Sequence, residues 1–135
     1  AGEKTLDIDT INIPQNVKFE GFLNKDNLML FYQKCRVILF LSRWYEGFPL
    51  VLLESMFNYT PIIVNNLAVM PEVVEDGKEG FVVEVGDLDL VEQRIGELFV
   101  NDEKYSQICY NCRKKVDDNY SSDLYYIRLM QEFKR

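Results

Sequence analysis

Apolar positions along this chain follow two spacings in turn, and their order predicts strands alternating with helices. A short run of large aliphatic residues, Val37–Leu41, is typical of a buried strand. Gly47 and Pro49 then interrupt the pattern, and Leu50–Phe57 is apolar almost all round except near Glu54, which indicates a buried helix. Pro49 suits the first helical position, because the N–H that a proline lacks would be unsatisfied there. The stretch therefore predicts a strand, a tight turn and a buried helix.

The residues around this turn suit a ligand that carries both phosphates and hydroxyls. The N–H groups of Leu50, Val51 and Leu52 are expected to be free at the positive end of the helix, where anions bind. Glu46 at the mouth of the turn and Glu54 within the helix can accept hydrogen bonds from sugar hydroxyls. From the residues alone, an ordinary helix start with one solvated and one ion-paired glutamate is an equal alternative, because helix N-termini without ligands are common.

The rest of the chain continues the alternation. Strands are also predicted at Val17–Phe22, Pro61–Val64 and Gly80–Val85. Apolar spacing and capping residues predict a helix at Lys25–Cys35, capped by Asn24 or Asp26, with Leu28, Phe31 and Tyr32 on one face, and a short helix at Val69–Glu75. A further helix is predicted after Gly86-Asp87, with one apolar face made of Leu88, Val91, Ile95, Leu98 and Phe99. Two more helices are predicted towards the end of the chain, one capped by Asn101 or Asp102 and reaching about Asp118, and one at Asp123–Lys134 capped by Ser121 or Ser122. Ala1–Gln15 has no clear periodicity and is expected to be irregular. This order predicts an α/β fold, a Rossmann-like parallel sheet with flanking helices, whose ligands bind at the carboxyl ends of the strands.

Length and charge narrow the class of protein. A chain of 135 residues is expected to hold one domain at most. Its formal net charge of −7 argues against a nucleic-acid partner, which needs a basic surface. No apolar run approaches the roughly 20 residues of a membrane span, and no signal-peptide pattern opens the chain. A cytoplasmic location is therefore expected.

The cysteines predict ordinary reduced thiols. Cys109 and Cys112 are spaced like a redox pair, but they lie in a polar helical stretch rather than after a strand. A zinc site needs about four ligands, and the chain has one further cysteine and no histidine. No metal and no other cofactor is expected.

The turn and the segments after it resemble a known family. Glu46 and Glu54 are separated by seven residues, and Gly47–Leu50 follows the first of them. This pattern is similar to the paired-glutamate signature of retaining, nucleotide-sugar-dependent glycosyltransferases of family 4, which have two Rossmann-like domains. The similarity covers about residues 16–134 and includes three later segments, Pro61–Val64, Pro71–Gly77 and Gly80–Val83.

The resemblance implies a role for each of the two carboxylates. Glu54 matches the glutamate that accepts hydrogen bonds from the nucleotide ribose. Glu46 matches the one near the donor sugar and the reacting centre. Retaining transfer in this family is usually attributed to front-face attack within the complex of donor and acceptor, so Glu46 would position the sugar and stabilise charge without becoming a covalent nucleophile.

The resemblance also implies the remaining contacts and the partners. Gly47, Phe48, Leu50 and Val51 belong to the turn whose backbone N–H groups meet sugar and phosphate, and the loop at Leu23 matches the region that touches the base. The donor would be a nucleotide sugar. The acceptor, a glycan or a lipid-linked saccharide, would bind to an N-terminal domain that this sequence does not include.

The sequence departs from the family pattern at three places. Leu41-Ser42 stands where Pro-Ser is usual, and one extra residue lies just before Glu46. A glycine that is usual two residues before Pro61 is Tyr59 here, which is expected to change how the preceding helix ends.

Three residues of the approach loop allow more than one interpretation. Arg43 is interpreted as a neutraliser of phosphate or, with at least equal weight, as an exposed arginine or a partner for Glu46. Trp44 and Tyr45 either stack on a sugar or, the interpretation that we favour, serve in packing.

The resemblance covers only the later part of the donor-binding, C-terminal domain. The first β-α units, with the basic pair that normally binds the donor pyrophosphate, have no counterpart here, so this chain alone is expected to transfer no sugar. In the family's strand order Val17–Phe22 and Val37–Leu41 would be the third and fourth strands and would not be adjacent. The exposed edge of Val37–Leu41 then predicts either that the two strands pair directly or that a strand-mediated homodimer fills the gap.

Two other functions are consistent with the predicted fold. A non-catalytic nucleotide-sugar-binding or interaction module would share every feature above. A flavodoxin-like or receiver-like domain is disfavoured, because no acidic cluster follows the first strand and no phosphate-loop glycine pattern is present. A longer enzyme of this family would be cytoplasmic or peripheral to the membrane.

Overall fold

The computed structural model describes residues 14–45 and 47–120, and it confirms a parallel α/β sheet with flanking helices. In chain order the elements are α1 (Lys25–Lys34), β1 (Ile38–Phe40), α2 (Leu50–Phe57), β2 (Ile62–Asn65), α3 (Met70–Val73), β3 (Gly80–Val83), α4 (Leu88–Val100) and α5 (Asp102–Asn119). The strands form one three-stranded sheet in the order β1-β2-β3, and both pairs are parallel. Ile62 of β2 lies opposite Ile38 on one side and Gly80 on the other.

The core is built around β2, in which every residue is buried. Ile62, Ile63 and Val64 are fully buried although successive side chains of a strand point to opposite faces. Both faces of the sheet are therefore covered, as is usual where helices connect parallel strands. The same core cluster includes side chains from α2, α3, α4 and α5, among them Leu52 and Ile108.

The backbones of β2 and β3 approach so closely that only glycine fits at the start of β3. A Cβ added to Gly80 would lie 1.8 Å from the carbonyl oxygen of Ile62. Glycine is therefore required at position 80 by the packing of the two strands and not by a turn.

Helix α2 covers the predicted residues, but it begins differently. Pro49 is the N-cap residue, with φ −77° and ψ 110°, rather than the first helical residue. Its carbonyl accepts the N–H of Leu52 at 3.1 Å, so the prediction that the Leu52 N–H is free is wrong. The connection between Phe40 and Leu50 is also longer than the predicted tight turn.

Helix α2 ends in the hydrogen-bond pattern that usually requires glycine. The N–H of Tyr59 donates to the carbonyl of Met56 at 3.0 Å, and the N–H of Thr60 donates to the carbonyl of Ser55 at 3.0 Å. These two bonds define a Schellman motif, in which the residue at the position of Tyr59 is left-handed. Tyr59 has φ 60°. The expectation that a tyrosine here changes the helix end is wrong, because Tyr59 adopts the conformation that glycine would take.

Two helices start at predicted capping residues, Asn24 and Asn101, and a third starts at Asp87 of the predicted turn, which was not predicted as a cap. The side chains of Asn24, Asp87 and Asn101 each accept the backbone N–H three residues further on, at 3.0, 3.0 and 2.8 Å respectively. Such bonds satisfy N–H groups that have no partner inside the helix.

The apolar face predicted for α4 is only partly buried. Val91 and Leu98 are buried, whereas Leu88 and Phe99 are 69% and 57% exposed. The ring of Phe99 instead supports the guanidinium of Arg36 at 5.1 Å. Arg36, just before β1, also donates to the carbonyl of Leu98 at 2.8 Å and so ties the sheet to the end of α4.

The predicted strand at Val17–Phe22 is wrong. These residues form no helix or strand, and Val17, Phe19 and Phe22 are 46%, 56% and 81% exposed. Alternation of apolar and polar residues predicts a strand only where a partner is available, and among the described residues β1 pairs with β2 alone. Direct pairing of this segment with β1 is therefore also wrong, and β1 stays at the edge of the described sheet.

Some predictions fall on residues outside the described ranges. These are the irregular stretch up to residue 13, Glu46, and the last helix over Asp123–Lys134 with its caps. Among the helices that the structure describes, none is long and apolar enough to cross a bilayer.

Candidate functional site

The loops that follow the three strands meet at the carboxyl edge of the sheet. The side chain of Asn65, which is 3% exposed, donates to the carbonyl of Ser42 at 3.0 Å and joins the end of β2, where the next loop begins, to the loop after β1. Asn66 donates from its side chain to the Glu84 carboxylate at 2.8 Å and joins the same loop to the residue after β3. The start of α2 lies at this edge, where parallel α/β sheets bind their ligands.

The carboxylate of Glu54 is held by a buried tyrosine of α1. The Tyr32 hydroxyl donates to Glu54 Oε2 at 3.0 Å. Tyr32 is 4% exposed, and its backbone carbonyl accepts the hydroxyl of Thr60 at 2.9 Å. Burial, followed by the bond to Glu54, raises the pKa of Tyr32 well above its ordinary value, so the hydroxyl keeps its proton and remains a donor.

Two more side-chain bonds fix α1 against α2 beside this pair. Gln33 donates to the Asn58 side-chain oxygen at 3.2 Å. Asn58 in turn donates to the backbone carbonyl of Glu54 at 2.8 Å. The position of Tyr32 relative to Glu54 is thus set by a short polar network and not by one contact.

A groove of about 450 Å³ lies between α1, α2 and the end of α5. Its apolar lining includes Leu28, Met29, Leu53 and Phe57, and its polar lining includes Tyr32 and Glu54. Ligand sites commonly combine this volume with a mostly apolar wall and a few placed polar groups. Lys25, the first residue of α1, also lines the groove. Leu23, which is half-buried two residues earlier, therefore lies near that end of it.

The other predicted binding residues lie at the start of α2. Leu50 is 65% exposed and Phe48 is 41% exposed, while the side chain of Val51 packs against the core. No side chain of the described residues caps this helix, and the N–H groups of Leu50 and Val51 precede the first bond within it. The structure thus places Gly47, Phe48, Leu50, Val51 and Glu54 within the last residues before α2 and its first turns.

Phe48 also contacts the end of α5. Its ring centroid lies 5.9 Å from that of Tyr120, in a tilted arrangement. Since Tyr120 lines the groove beside Glu54, this contact links the approach loop of α2 to the groove wall.

The rings of Trp44 and Tyr45 extend into solvent. They are 81% and 83% exposed, so the packing interpretation that we favoured for them is wrong among the described residues. Arg43 lines a small cavity of about 60 Å³ together with Glu84 and Asp87. Its surroundings at this edge are therefore acidic.

A second cleft, of about 390 Å³, lies between the segment before β3 and α5. Its charges compensate each other: Lys115 pairs with the buried Glu79 at 3.2 Å, and Lys78 pairs with Glu75 at 2.7 Å. Lys78 and Glu79 immediately precede β3, so this cleft lies at the amino end of the strand, away from the start of α2.

All three cysteines are free thiols, in agreement with the prediction. Cys112 is buried in the core, where its sulfur lies 3.1 Å from the carbonyl oxygen of Glu79. Burial raises the pKa of this thiol far above its ordinary value, so Cys112 is a packing residue and not a reactive one.

Sequence reasoning did not place Tyr32, Asn58 and Asn65 at the candidate site. Tyr32 was assigned only to the apolar face of its helix. A signal was nevertheless present. A tyrosine on the buried face of α1 needs a hydrogen-bond partner for its hydroxyl, and Glu54 is a polar residue within the apolar helix α2. The asparagines carry no such signal, since the bond that joins Asn58 to Gln33 and the bond that joins Asn65 to Ser42 both link residues far apart in sequence.

A parallel sheet, an uncapped helix start at its carboxyl edge and a carboxylate in the second turn of that helix define a Rossmann-like domain with a candidate nucleotide site. The chain belongs to the glycosyl transferases group 1 family, whose family model matches residues 3–115. The predicted resemblance to glycosyltransferases is therefore confirmed.

Comparison with individual proteins agrees with this assignment. The chain is 33% identical over 122 residues to the capsular polysaccharide biosynthesis glycosyltransferase CapM of Staphylococcus aureus, a match that covers 90% of this chain and 32% of that protein. Among the first curated relatives, the chain spans between 21% and 32% of their length.

Solved structures show the same fold at low sequence identity. HepE from Anabaena, crystallised with UDP and glucose, superposes with a TM-score of 0.82 at 20% identity, over 94% of this chain and 34% of that one. The C-terminal domain of the group 1 glycosyl transferase LpcC from Francisella tularensis superposes with a TM-score of 0.68 at 21% identity, over 78% of this chain and 53% of that one. Both likenesses show that this chain shares the fold of these proteins.

Proposed function

We propose that this chain is a single partial domain of a longer glycosyltransferase and binds the nucleotide-sugar donor for retaining glycosyl transfer. Membership of the family supports the reaction class. The structures of HepE with UDP and with UDP-glucose support a uridine nucleotide as the first ligand to test.

The observation that carries this proposal is the setting of Glu54. Its carboxylate lies in the wall of a groove large enough for a nucleoside, one turn into a helix whose first N–H groups are uncapped. Hydroxyl groups of a ribose suit a carboxylate, and phosphates suit a helix start. Both kinds of group are adjacent here, and Glu54 is exposed, so its carboxylate is open to a ligand.

Each predicted residue has one role in this proposal. Glu54 accepts hydrogen bonds from the ribose, and the backbone of Gly47, Phe48, Leu50 and Val51 meets the phosphates and the sugar. The loop at Leu23 contacts the base. Glu46 positions the donor sugar at the reacting centre.

The partners outside this chain follow from the same proposal. The acceptor is a glycan or a lipid-linked saccharide, and another domain of the longer protein binds it. No metal takes part in the transfer. The longer enzyme acts in the cytoplasm or at the membrane surface.

The proposal predicts that Glu54→Gln weakens nucleotide binding. A charge-assisted hydrogen bond to a hydroxyl contributes about 1.5–3 kcal/mol, so the dissociation constant for UDP should rise by about tenfold or more. Calorimetry on the chain measures it, and Glu92→Gln on the exposed part of α4 is the matched control. Unchanged affinity of the Glu54 variant would remove this residue from the site.

The proposal also separates binding from turnover. In the longer enzyme, Glu46→Gln is expected to lower turnover more than nucleotide affinity, because its partner is the sugar at the reacting centre. The 135-residue chain is expected to transfer no sugar, since the acceptor site lies elsewhere. Steady release of UDP from UDP-glucose that depends on an acceptor and on this chain alone would contradict this expectation.

A further inference from the structure

Tyr32 and Phe81 are the buried aromatic residues of the part of the chain that the structure describes, and Tyr32 has a polar end that meets a proposed ligand-binding carboxylate. Its ring is 4% exposed and belongs to α1, while Glu54 belongs to α2. The two residues meet through one hydrogen bond of 3.0 Å, from the tyrosine hydroxyl to Oε2. The hydroxyl of Tyr32 therefore lies at the wall of the groove, although its ring is buried.

The tyrosine is itself held in place from both sides. Thr60, which is 2% exposed, donates to its backbone carbonyl at 2.9 Å. Gln33, the next residue along α1, donates to Asn58 at the end of α2. Because these bonds fix the helix register, the hydroxyl of Tyr32 approaches Glu54 from one fixed direction.

A carboxylate in the second turn of a helix otherwise has several rotamers. Glutamate has three side-chain torsions, and ordering them costs free energy each time that a ligand binds. A donor that fixes one oxygen beforehand removes part of this cost, and it leaves Oε1 to accept from a ligand hydroxyl. The arrangement is selective for ligands that bring a hydroxyl to that oxygen.

We propose that Tyr32 is a positioning residue that presents the Glu54 carboxylate to the ribose hydroxyls of the donor nucleotide. This inference rests on the proposed function, in which Glu54 is the ribose ligand. Tyr32 does not contact the ribose, and it acts only through Glu54. It therefore contributes to the preference for ribose and not to the binding of base or phosphate.

The test compares the binding of UDP and of 2′,3′-dideoxy-UDP by calorimetry to the chain and its variants. Tyr32→Phe removes one oxygen and keeps the ring in the core. We expect it to weaken UDP binding by about three- to tenfold, the effect of losing one hydrogen bond, and to leave dideoxy-UDP binding unchanged. Tyr110→Phe, on the exposed side of α5, is the matched control and should change neither affinity. Combined with Glu54→Gln, the Tyr32 substitution should add no further loss.

The possible outcomes separate this inference from the function on which it rests. If Glu54→Gln abolishes the preference for UDP over dideoxy-UDP and Tyr32→Phe retains it in full, Tyr32 has no positioning role and the proposed function stands. If Tyr32→Phe weakens both ligands equally, its role is structural and the inference is overturned. If the unmodified chain shows no preference, or binds neither ligand, the proposed function fails and the inference with it.

Discussion

Tyr59 occupies a left-handed position at the end of α2, and its replacement by glycine should stabilise the protein. Its φ of 60° lies in the region that L-residues other than glycine rarely adopt. That conformation costs about 1–2 kcal/mol for a residue with a Cβ. Glycine avoids this cost but loses about 0.5–1 kcal/mol through the greater freedom of the unfolded chain. Tyr59→Gly should therefore be more stable than Tyr59→Ala by about 0.5–1 kcal/mol.

The tyrosine side chain contributes little that would offset this gain. Its ring is 52% exposed. The guanidinium of Arg113 lies 5.7 Å from the ring centroid, near the limit of about 6 Å for a cation–π contact, whereas it lies 4.1 Å from the centroid of Phe57. The wild type should consequently resemble Tyr59→Ala in stability, and Tyr59→Gly should exceed both.

Urea unfolding of the variants measures this difference, and a second tyrosine supplies the control. Tyr110 is similarly exposed but lies within the regular helix α5. There the order should reverse, with Tyr110→Gly less stable than Tyr110→Ala by about 1 kcal/mol. If Tyr59→Gly is no more stable than Tyr59→Ala, while the control pair shows its expected order, the left-handed conformation carries no measurable strain and the reasoning is refuted.

Two further substitutions test the packing and the charges of the fold. Gly80→Ala should abolish folding or cost several kcal/mol, because its Cβ would lie 1.8 Å from the Ile62 carbonyl oxygen; an unfolding midpoint close to that of the wild type would contradict the close approach of β2 and β3. Bonds from Lys104 and then from Arg94 hold the pKa of Glu97 below its ordinary value of 4.5. The stabilisation by Glu97 is thus present above the unfolded pKa and is lost as the pH falls through the folded one. In urea unfolding, Glu97→Gln should be less stable than the wild type at pH 7, and the difference in stability should shrink below pH 4.5. A difference that does not change with pH would contradict the stabilising role of the Glu97 carboxylate.

The elements that could be predicted from the sequence are those that depend on residues close to one another in the chain. Leu50–Phe57 is helical over the predicted residues because an apolar segment after a proline has few alternatives in a core. Asn24 and Asn101 could be predicted as caps because capping depends on neighbouring residues only. Val17–Phe22 shows where this logic stops, since a strand also needs a partner that the local sequence does not reveal.

The candidate site could be predicted only in part for the same reason. Glu54 was identified by its spacing from Glu46, but its hydrogen bond to Tyr32 joins residues of two different helices. Asn65 reaches Ser42 across the edge of the sheet. Such contacts depend on how the elements pack, and apolar spacing carries no information about them.

The most direct test of the proposed donor site is to locate where a nucleotide contacts the chain. Titration of the isotope-labelled chain with UDP, followed by backbone amide NMR, reports every residue near the ligand. We predict that the largest shifts fall on Leu23–Lys25 and on the segment from Gly47 to Glu54, around the groove of about 450 Å³. Shifts that cluster instead at the cleft between Lys78 and Lys114, or no shifts at millimolar UDP, would contradict the account.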